Sequence, residues 1–267
     1  MADRKAEGWH GWDTYAPFYD WENARTLGRR DVGFWVDTLR DVRGPVLELG
    51  CGTGRLLAPI ARSWIGLDAD PARRLIGIDR SAPMLARARR RLARVPAAVR
   101  PALVRGDVRA LPLRPRMLGA VVAAYGLLQS LLNDQDLDAA LAAAAAGLRR
   151  GGLLGIDLVP DLPVWEEYAR RIPIRGRLSA GTTLTLVESV RQDRRKGLTI
   201  FDEQYVVRRG REVRRHAFQL TFRTLPMARI LARIEQAGFR IADVCGSYTG
   251  EVWHPGADVW LVLARRR

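Results

Sequence analysis

Val46-Leu47-Glu48-Leu49-Gly50-Cys51-Gly52-Thr53-Gly54-Arg55 is a short apolar strand that breaks into three alternate glycines before a helix running to about Arg62. Glycine lacks a side chain and tolerates positive φ, so such a turn lets backbone approach a ligand closely. The alternate spacing departs from the dinucleotide fingerprint, and no Lys-Ser or Lys-Thr closes the turn as in a phosphate loop. A pyrophosphate cradle is therefore disfavoured.

Working outward, the same rhythm repeats. Leu75 to Asp79 is a second strand, and Ser81-Ala82-Pro83 opens a helix to about Arg94, with serine at the cap and proline in the first turn. Ala102 to Gly106 and Leu118 to Tyr125 follow as strands, then a helix from Gln135 to Leu148 ended by Arg150-Gly151-Gly152, then a strand from Leu153 to Val159. Alternation of this kind predicts a parallel sheet covered by helices. After Pro163 the segments Thr182 to Val190, Leu198 to Arg208 and Val213 to Arg223 are rich in Thr, Val, Phe and Tyr, and turn-like stretches separate them. They predict antiparallel hairpins forming a small sheet over the main one. A helix from Pro226 to Ala237 and strands near Arg240 to Gly246 and Asp258 to Ala264 complete the chain.

Two acids stand at successive strand ends. Asp79 ends the second strand, where its carboxylate can accept from both hydroxyls of a ribose; Asp107 ends the third, where it can accept from an adenine amino group. Each alone is more often a cap or a surface charge. Together, beside one glycine turn, they describe an adenosine pocket at the carboxyl edge of the sheet.

Through Val46 to Arg55, Gly77-Ile78-Asp79, Gly106-Asp107-Val108 and Ala237-Gly238-Phe239, the chain resembles the class I S-adenosylmethionine-dependent methyltransferases from roughly Tyr15 onward. The resemblance implies an α/β fold, a three-layer Rossmann-like seven-stranded sheet with its last strand antiparallel, S-adenosylmethionine as cofactor, and methyl transfer. By position, Glu48, Gly50, Cys51 and Gly52 would line the methionine side and Asp79 would hold the ribose. Arg80 and Met84 would flank the adenine, Asp107 and Val108 would read its edge, and Ala124 and Tyr125 would lie beneath the sulfonium. Tyr15 and Tyr19 match a Tyr-Asp lead-in of small-molecule members, where a tyrosine lids the methionine moiety. The segment Ser63 to Arg74 is longer and more acidic than that family's usual link, and Asp68 and Asp70 compete there with Asp79 for the ribose.

Composition limits the remaining choices. The 267 residues are 48% hydrophobic and 27% charged, a globular balance, and the longest apolar stretch, Met117 to Leu128, is too short to cross a bilayer. Cys51 and Cys245 are the only cysteines, and His10, His216 and His254 are scattered, so neither a disulfide framework nor a metal site is expected. A reducing cytoplasm fits. Of 44 basic residues 42 are arginine, which biased codon usage can produce; the net charge is +15. Eleven arginines against Asp107 alone between Arg80 and Arg116 leave contact with nucleic acid as a lesser possibility, although a helix with a solvated basic face explains part of that stretch.

No catalytic triad is visible, and none is required, because transfer from a sulfonium needs chiefly alignment and exclusion of water. Asp134, Asp136 and Asp138 fit a helix start and its dipole better than catalysis. Tyr125, Gln129, Trp165, His216 and Tyr248 are the residues expected to face an acceptor, and His216 is the one candidate base. Trp9, Trp12, Tyr15, Phe18, Tyr19 and Trp21 crowd the N-terminus, as a lid over the cofactor or as an aromatic staple to the sheet. The organisation expected is an N-terminal arm over 1–40 and a methyltransferase domain over 41–267, with an antiparallel insert at about 165–225 over the active site. The function expected is methyl transfer to an amine or hydroxyl of a small molecule, in a monomer or homodimer. The alternatives are an RNA methyltransferase and a non-catalytic cofactor-binding scaffold.

Overall fold

Strands apolar on both faces belong in the interior of a sheet covered on both sides. In the computed structural model, which describes residues 10–67, 70, 72–159 and 167–267, five strands run parallel, the innermost of them of this kind. They are β1 (Val46–Leu49), β2 (Leu75–Asp79), β3 (Ala102–Arg105), β4 (Leu118–Ala123) and β5 (Leu148–Leu158). Val46 sits between Leu75 of β2 and Ala120 of β4. Four more strands, β6 (Tyr168–Ser179), β7 (Thr182–Asp193), β8 (Leu198–Arg209) and β9 (Glu212–Arg223), form a separate antiparallel sheet in that order. The last two, β10 (Phe239–Cys245) and β11 (Trp260–Arg266), return to the first sheet, whose order is β10-β11-β5-β4-β1-β2-β3. β11 is antiparallel to both its neighbours. The order reverses between β1 and β4, the switch point outside which open α/β sheets bind ligands.

The chain divides into two units. The larger holds the seven-stranded sheet with α2 (Val32–Leu39), α3 (Leu57–Ser63), α4 (Ala82–Leu92), α5 (Asp134–Gly147) and α6 (Met227–Gln236). Trp35 of α2 is buried so tightly that a Cβ on Gly155 would come within 2.5 Å of its ring. The expected cap of α4 is present, with Ser81 Oγ accepting from Met84 N at 3.2 Å. On α6, Met227, Ile230 and Ile234 are buried while Arg229 and Arg233 pair with Asp134 and Asp138 of α5.

The smaller unit contains α1 (Trp12–Asn23), the four-stranded sheet and Ser130–Leu132. Phe18 stacks on Tyr205 at 4.3 Å, Tyr15 lies 5.4 Å from Phe218, and Trp21 Nε1 donates to the Arg177 carbonyl at 2.8 Å. The aromatic helix is thus stapled to the antiparallel sheet. Residues of the expected 1–40 arm fall in both units, α1 in the smaller and α2 in the larger.

Several boundaries differ from the sequence expectation. β5 begins at Leu148 rather than Leu153, because Gly151, at φ 74°, and Gly152 lie in an irregular stretch of strand pairing instead of a helix stop. β6 was not expected at all. Its sequence has four arginines, Gly176 and Pro173, and its alternate apolar residues Ile172, Ile174 and Leu178 are too few to mark a strand because it is an exposed edge. β11 lies two residues later than expected. No helix among the described residues is long and apolar enough to cross a membrane.

Candidate active site

Gly50, Gly52 and Gly54 all adopt left-handed φ, at 59°, 51° and 71°. A Cβ on Gly50 would lie 2.5 Å from Leu127 Cδ1, so any other residue there must displace Leu127 as well as adopt a strained φ. A Cβ on Gly52 would project into open space, its nearest neighbour being the Gly50 carbonyl at 3.9 Å. Gly52 therefore leaves bare backbone facing a volume that a ligand can fill. Cys51 lies underneath, buried, and a Cβ on Gly77 would come within 2.7 Å of its Sγ; burial pushes its thiol pKa up. Only the Cys51 backbone can serve a ligand.

Asp79 joins the turn to the end of β2. Its Oδ2 accepts from Gly52 N–H at 2.8 Å and its Oδ1 from Ser81 N–H at 2.8 Å. Asp107, beyond β3, accepts from Nη2 of Arg109 at 2.7 Å and from Nε at 3.0 Å, and pairs with Arg80 at 3.3 Å. Burial draws the Asp107 pKa upward, but the Arg109 hydrogen bonds and the charges of Arg109 and Arg80 prevail and hold it below the ordinary carboxylate value. Arg109 also reaches Asp136 at 2.8 Å, which gives that first-turn acid of α5 a second task. Met84 and Val108 are buried beside these groups. Asp70, in contrast, accepts from the Gly44 and Ala72 backbone, where it shapes the link before β2. Asp68 lies outside the described residues.

Two acids that were not foreseen, Asp31 and Asp157, form a second group with the expected Glu48. Asp31, fully buried at the start of α2, makes a two-pronged pair with Arg55 at 2.7 and 2.5 Å. Glu48 is buried, its Oε2 has no hydrogen-bond partner among the described residues, and burial pushes its pKa up to about 8 against the opposing charge of Arg55. Asp157, near the end of β5, is likewise pushed up by burial, to about 7, although the Tyr248 hydroxyl donates to its Oδ2 at 2.9 Å. The Tyr125 backbone N–H donates to the same carboxylate, and Gly126 N–H donates to the Asp157 carbonyl at 2.9 Å. These bonds hold Tyr125 at φ 53° with its ring 36% exposed and the Arg55 guanidinium 5.8 Å from the ring centroid. Asp157 was discoverable as the single acid in an apolar strand. Asp31 and Arg55 carry no local signal, since 24 residues separate them.

Glu48, Gly50, Cys51, Gly52, Asp79, Arg80, Met84, Asp107, Val108, Ala124, Tyr125, Gln129 and Tyr248 all belong to the larger unit. Gln129 is buried, and both ends of its amide are taken by the Val159 backbone, at 3.0 and 2.9 Å, so it closes the loop after β4. Tyr15, Tyr19 and His216 belong to the smaller unit, with His216 exposed on β9 and its ring 5.2 Å from Phe18. Trp165 lies outside the described residues. Among the described residues no group of three or more His, Cys, Asp or Glu is arranged to hold a metal ion.

Comparison with known proteins agrees with this geometry. Residues 46–152 match the methyltransferase domain family. The demethylmenaquinone methyltransferase of Lactiplantibacillus plantarum is 31% identical over 194 residues, 67% of this chain and 77% of that protein. Among solved structures, an S-adenosylmethionine-dependent methyltransferase from Clostridium acetobutylicum superposes with a TM-score of 0.73 at 15% identity, covering 94% of this chain and 98% of that one. An amino pentose methyltransferase from Micromonospora echinaspora, solved with S-adenosylmethionine bound, gives 0.68 at 24% identity, covering 94% and 96%. Glycine turn, strand-end acids, sheet order and relatives lead to one conclusion: the chain belongs to the class I S-adenosylmethionine-dependent methyltransferases.

Proposed function

We propose that the chain moves a methyl group from S-adenosylmethionine to an amine or hydroxyl of a small-molecule acceptor by in-line displacement, with the cofactor held at the carboxyl edge of the larger sheet. The observation that carries this reading is the orphaned Glu48 Oε2. A buried carboxyl without a donor suits an ammonium group, and the methionine arm of the cofactor supplies one. The Asp79 carboxylate, fixed at the end of β2 by the Gly52 and Ser81 N–H groups, suits the hydroxyls of a ribose. Arg80 and Met84 flank the adenine, and Asp107, oriented by Arg109, takes its amino edge beside Val108. The bare backbone at Gly50 to Gly52 lets the cofactor approach closely.

When bound, the sulfonium supplies an electrophilic methyl carbon. The chain's tasks are then to align the acceptor and exclude water. Asp157 fixes the turn that presents the Tyr125 ring, so the ring can act as a wall between cofactor and acceptor. With its pKa raised to about 7, Asp157 is also the carboxyl best matched to take a proton from an acceptor near neutrality. The amino pentose acted on by one structural neighbour favours the amine branch.

The RNA reading draws less support, since Arg80, Arg91, Arg100, Arg105 and Arg109 of the basic stretch are engaged within the fold. Incubation with a labelled methyl donor, small amines, phenols and total RNA discriminates the readings. Label is expected in small molecules, and label confined to RNA, or no uptake of cofactor by calorimetry, overturns the proposal.

A further inference from the structure

Within the larger unit, the end of β5 sets one acid behind one hydroxyl. Asp157 is only 3% exposed, so an acceptor cannot reach its carboxylate directly. The carboxylate accepts from the Tyr125 backbone N–H and, at Oδ2, from the Tyr248 hydroxyl at 2.9 Å. Tyr248, in the connection between β10 and β11, is half-buried. A phenol hydroxyl has one proton to give and two lone pairs to offer. The Tyr248 proton goes to Asp157, and among the described residues no donor is directed at its oxygen.

The other charges that act on this pair are Asp31 and Arg55, the first favouring and the second opposing its protonated form. They are bonded to each other, so the one guanidinium nearby is committed elsewhere and Asp157 has no cation of its own. A carboxyl kept for architecture alone would carry that desolvation cost without return. The groups beside the pair are exposed and apolar. Tyr125, whose N–H holds the acid, is 36% exposed, and Val159, two residues beyond Asp157, is 38% exposed with its N–H and carbonyl both gripped by Gln129. A Cβ on Gly126 would meet Val159 Cγ2 at 3.4 Å, so the turn that carries Tyr125 lies against Val159.

We propose that Tyr248 is the catalytic residue that receives the acceptor's proton and passes its own to Asp157, with Tyr125 and Val159 as the apolar flank on which the acceptor rests. The inference rests on the functional reading above and deepens it. In the step, the acceptor's N–H or O–H bond breaks, its proton joins the Tyr248 oxygen, and the Tyr248 proton crosses to Asp157 Oδ2. Tyr248 ends as the neutral phenol, Asp157 as the neutral acid, and the acceptor keeps the bonding pair as the lone pair used in the displacement.

Tyr248→Phe on the full chain tests it, with the amine or phenol that takes most label in the assay above as acceptor. At pH 7.5 kcat is expected to fall by about a hundredfold while cofactor affinity stays within about twofold. The deficit is expected to shrink as pH passes the acceptor's own pKa, where the acceptor arrives already deprotonated. Asp157→Asn, the second variant should Tyr248→Phe fail to fold, is expected to show the same pH-dependent deficit, because an amide cannot take the proton. In the ligand-free chain, carboxyl-carbon NMR is expected to show Asp157 titrating near pH 7, and at higher pH in Tyr248→Phe, since the lost hydrogen bond favoured the anion. An unchanged kcat, a deficit equal at every pH, or an Asp157 midpoint that Tyr248→Phe does not move each overturns the relay alone. A parent chain that binds no cofactor, or labels no amine or phenol, overturns the functional reading and the relay with it.

Discussion

Each unit of the molecule holds a trio of buried or half-buried carboxyls, and the two trios are treated differently. In the larger unit Glu48, Asp31 and Asp157 share the Arg55 guanidinium, the Tyr248 hydroxyl and backbone N–H groups. In the smaller unit tyrosine hydroxyls donate to Glu22 and Glu188, and Oε2 of Glu203 is buried with no hydrogen-bond partner among the described residues. A guanidinium brings a full charge and a rigid fork, so it fixes an acid as an anion; a phenol brings a dipole and leaves the charge uncompensated. Burial pushes Glu48 up to about 8 and Glu203 up to about 9. In both, burial favours the neutral form. The difference teaches that a guanidinium pins Asp31 as an anion in one cluster, whereas phenols leave the other without a compensating charge.

The largest expected effect comes from removing the organiser. Arg55→Met strands Asp31 as a fully buried charge and is expected to cost about 3–5 kcal/mol of stability, read by denaturant unfolding. A loss below 1 kcal/mol would mean that the guanidinium is not what holds that trio. Next, Asp79→Ala removes the acceptor of two backbone N–H groups and of the proposed ribose bonds. Cofactor affinity is expected to fall by about a hundredfold, roughly 3 kcal/mol, in calorimetry, and unchanged affinity would defeat the assignment.

Glu48→Gln sharpens the comparison through pH. The folded pKa of about 8 lies above the ordinary glutamate value of 4.5, so the stability linked to this proton is full in acid and is lost as pH rises from 4.5 through 8. Glutamine escapes that loss. The ligand-free variant is therefore expected to melt higher than the parent by about 3–6 °C at pH 9 and equally at pH 4, while binding cofactor more weakly. A variant that melts lower at pH 9 would show that Glu48 is internally paired. The smallest effect belongs to Gln129→Ala, which releases the Val159 backbone and is expected to cost about 1–2 kcal/mol in thermal unfolding, with cofactor affinity little changed.

Legibility followed locality. The β1 turn, Asp79 at its strand end and the Ser81 cap could all be read because each depends on neighbours a few residues away or on a strand's apolar run. Gln129 was expected to face an acceptor, and its amide instead grips the Val159 backbone, 30 residues distant. β6 escaped because an exposed edge strand carries too few apolar residues to betray it. Tyr15 and Tyr19 were read as lid or staple; within the smaller unit Tyr15 packs against Tyr205 and Phe218, contacts that no spacing in the sequence announces.

By itself the amino-acid sequence determined the alternation of strands and helices, the glycine turn and the acids that follow two strand ends, because hydrophobic period and backbone freedom act over a few residues. Only the tertiary structure decided which charges meet. Asp31 with Arg55, Asp157 with Tyr248 and Glu22 with Tyr205 join residues 24, 91 and 183 positions apart. Burial and low dielectric, which set the proton affinities of those groups, exist only once distant strands and helices have closed around them.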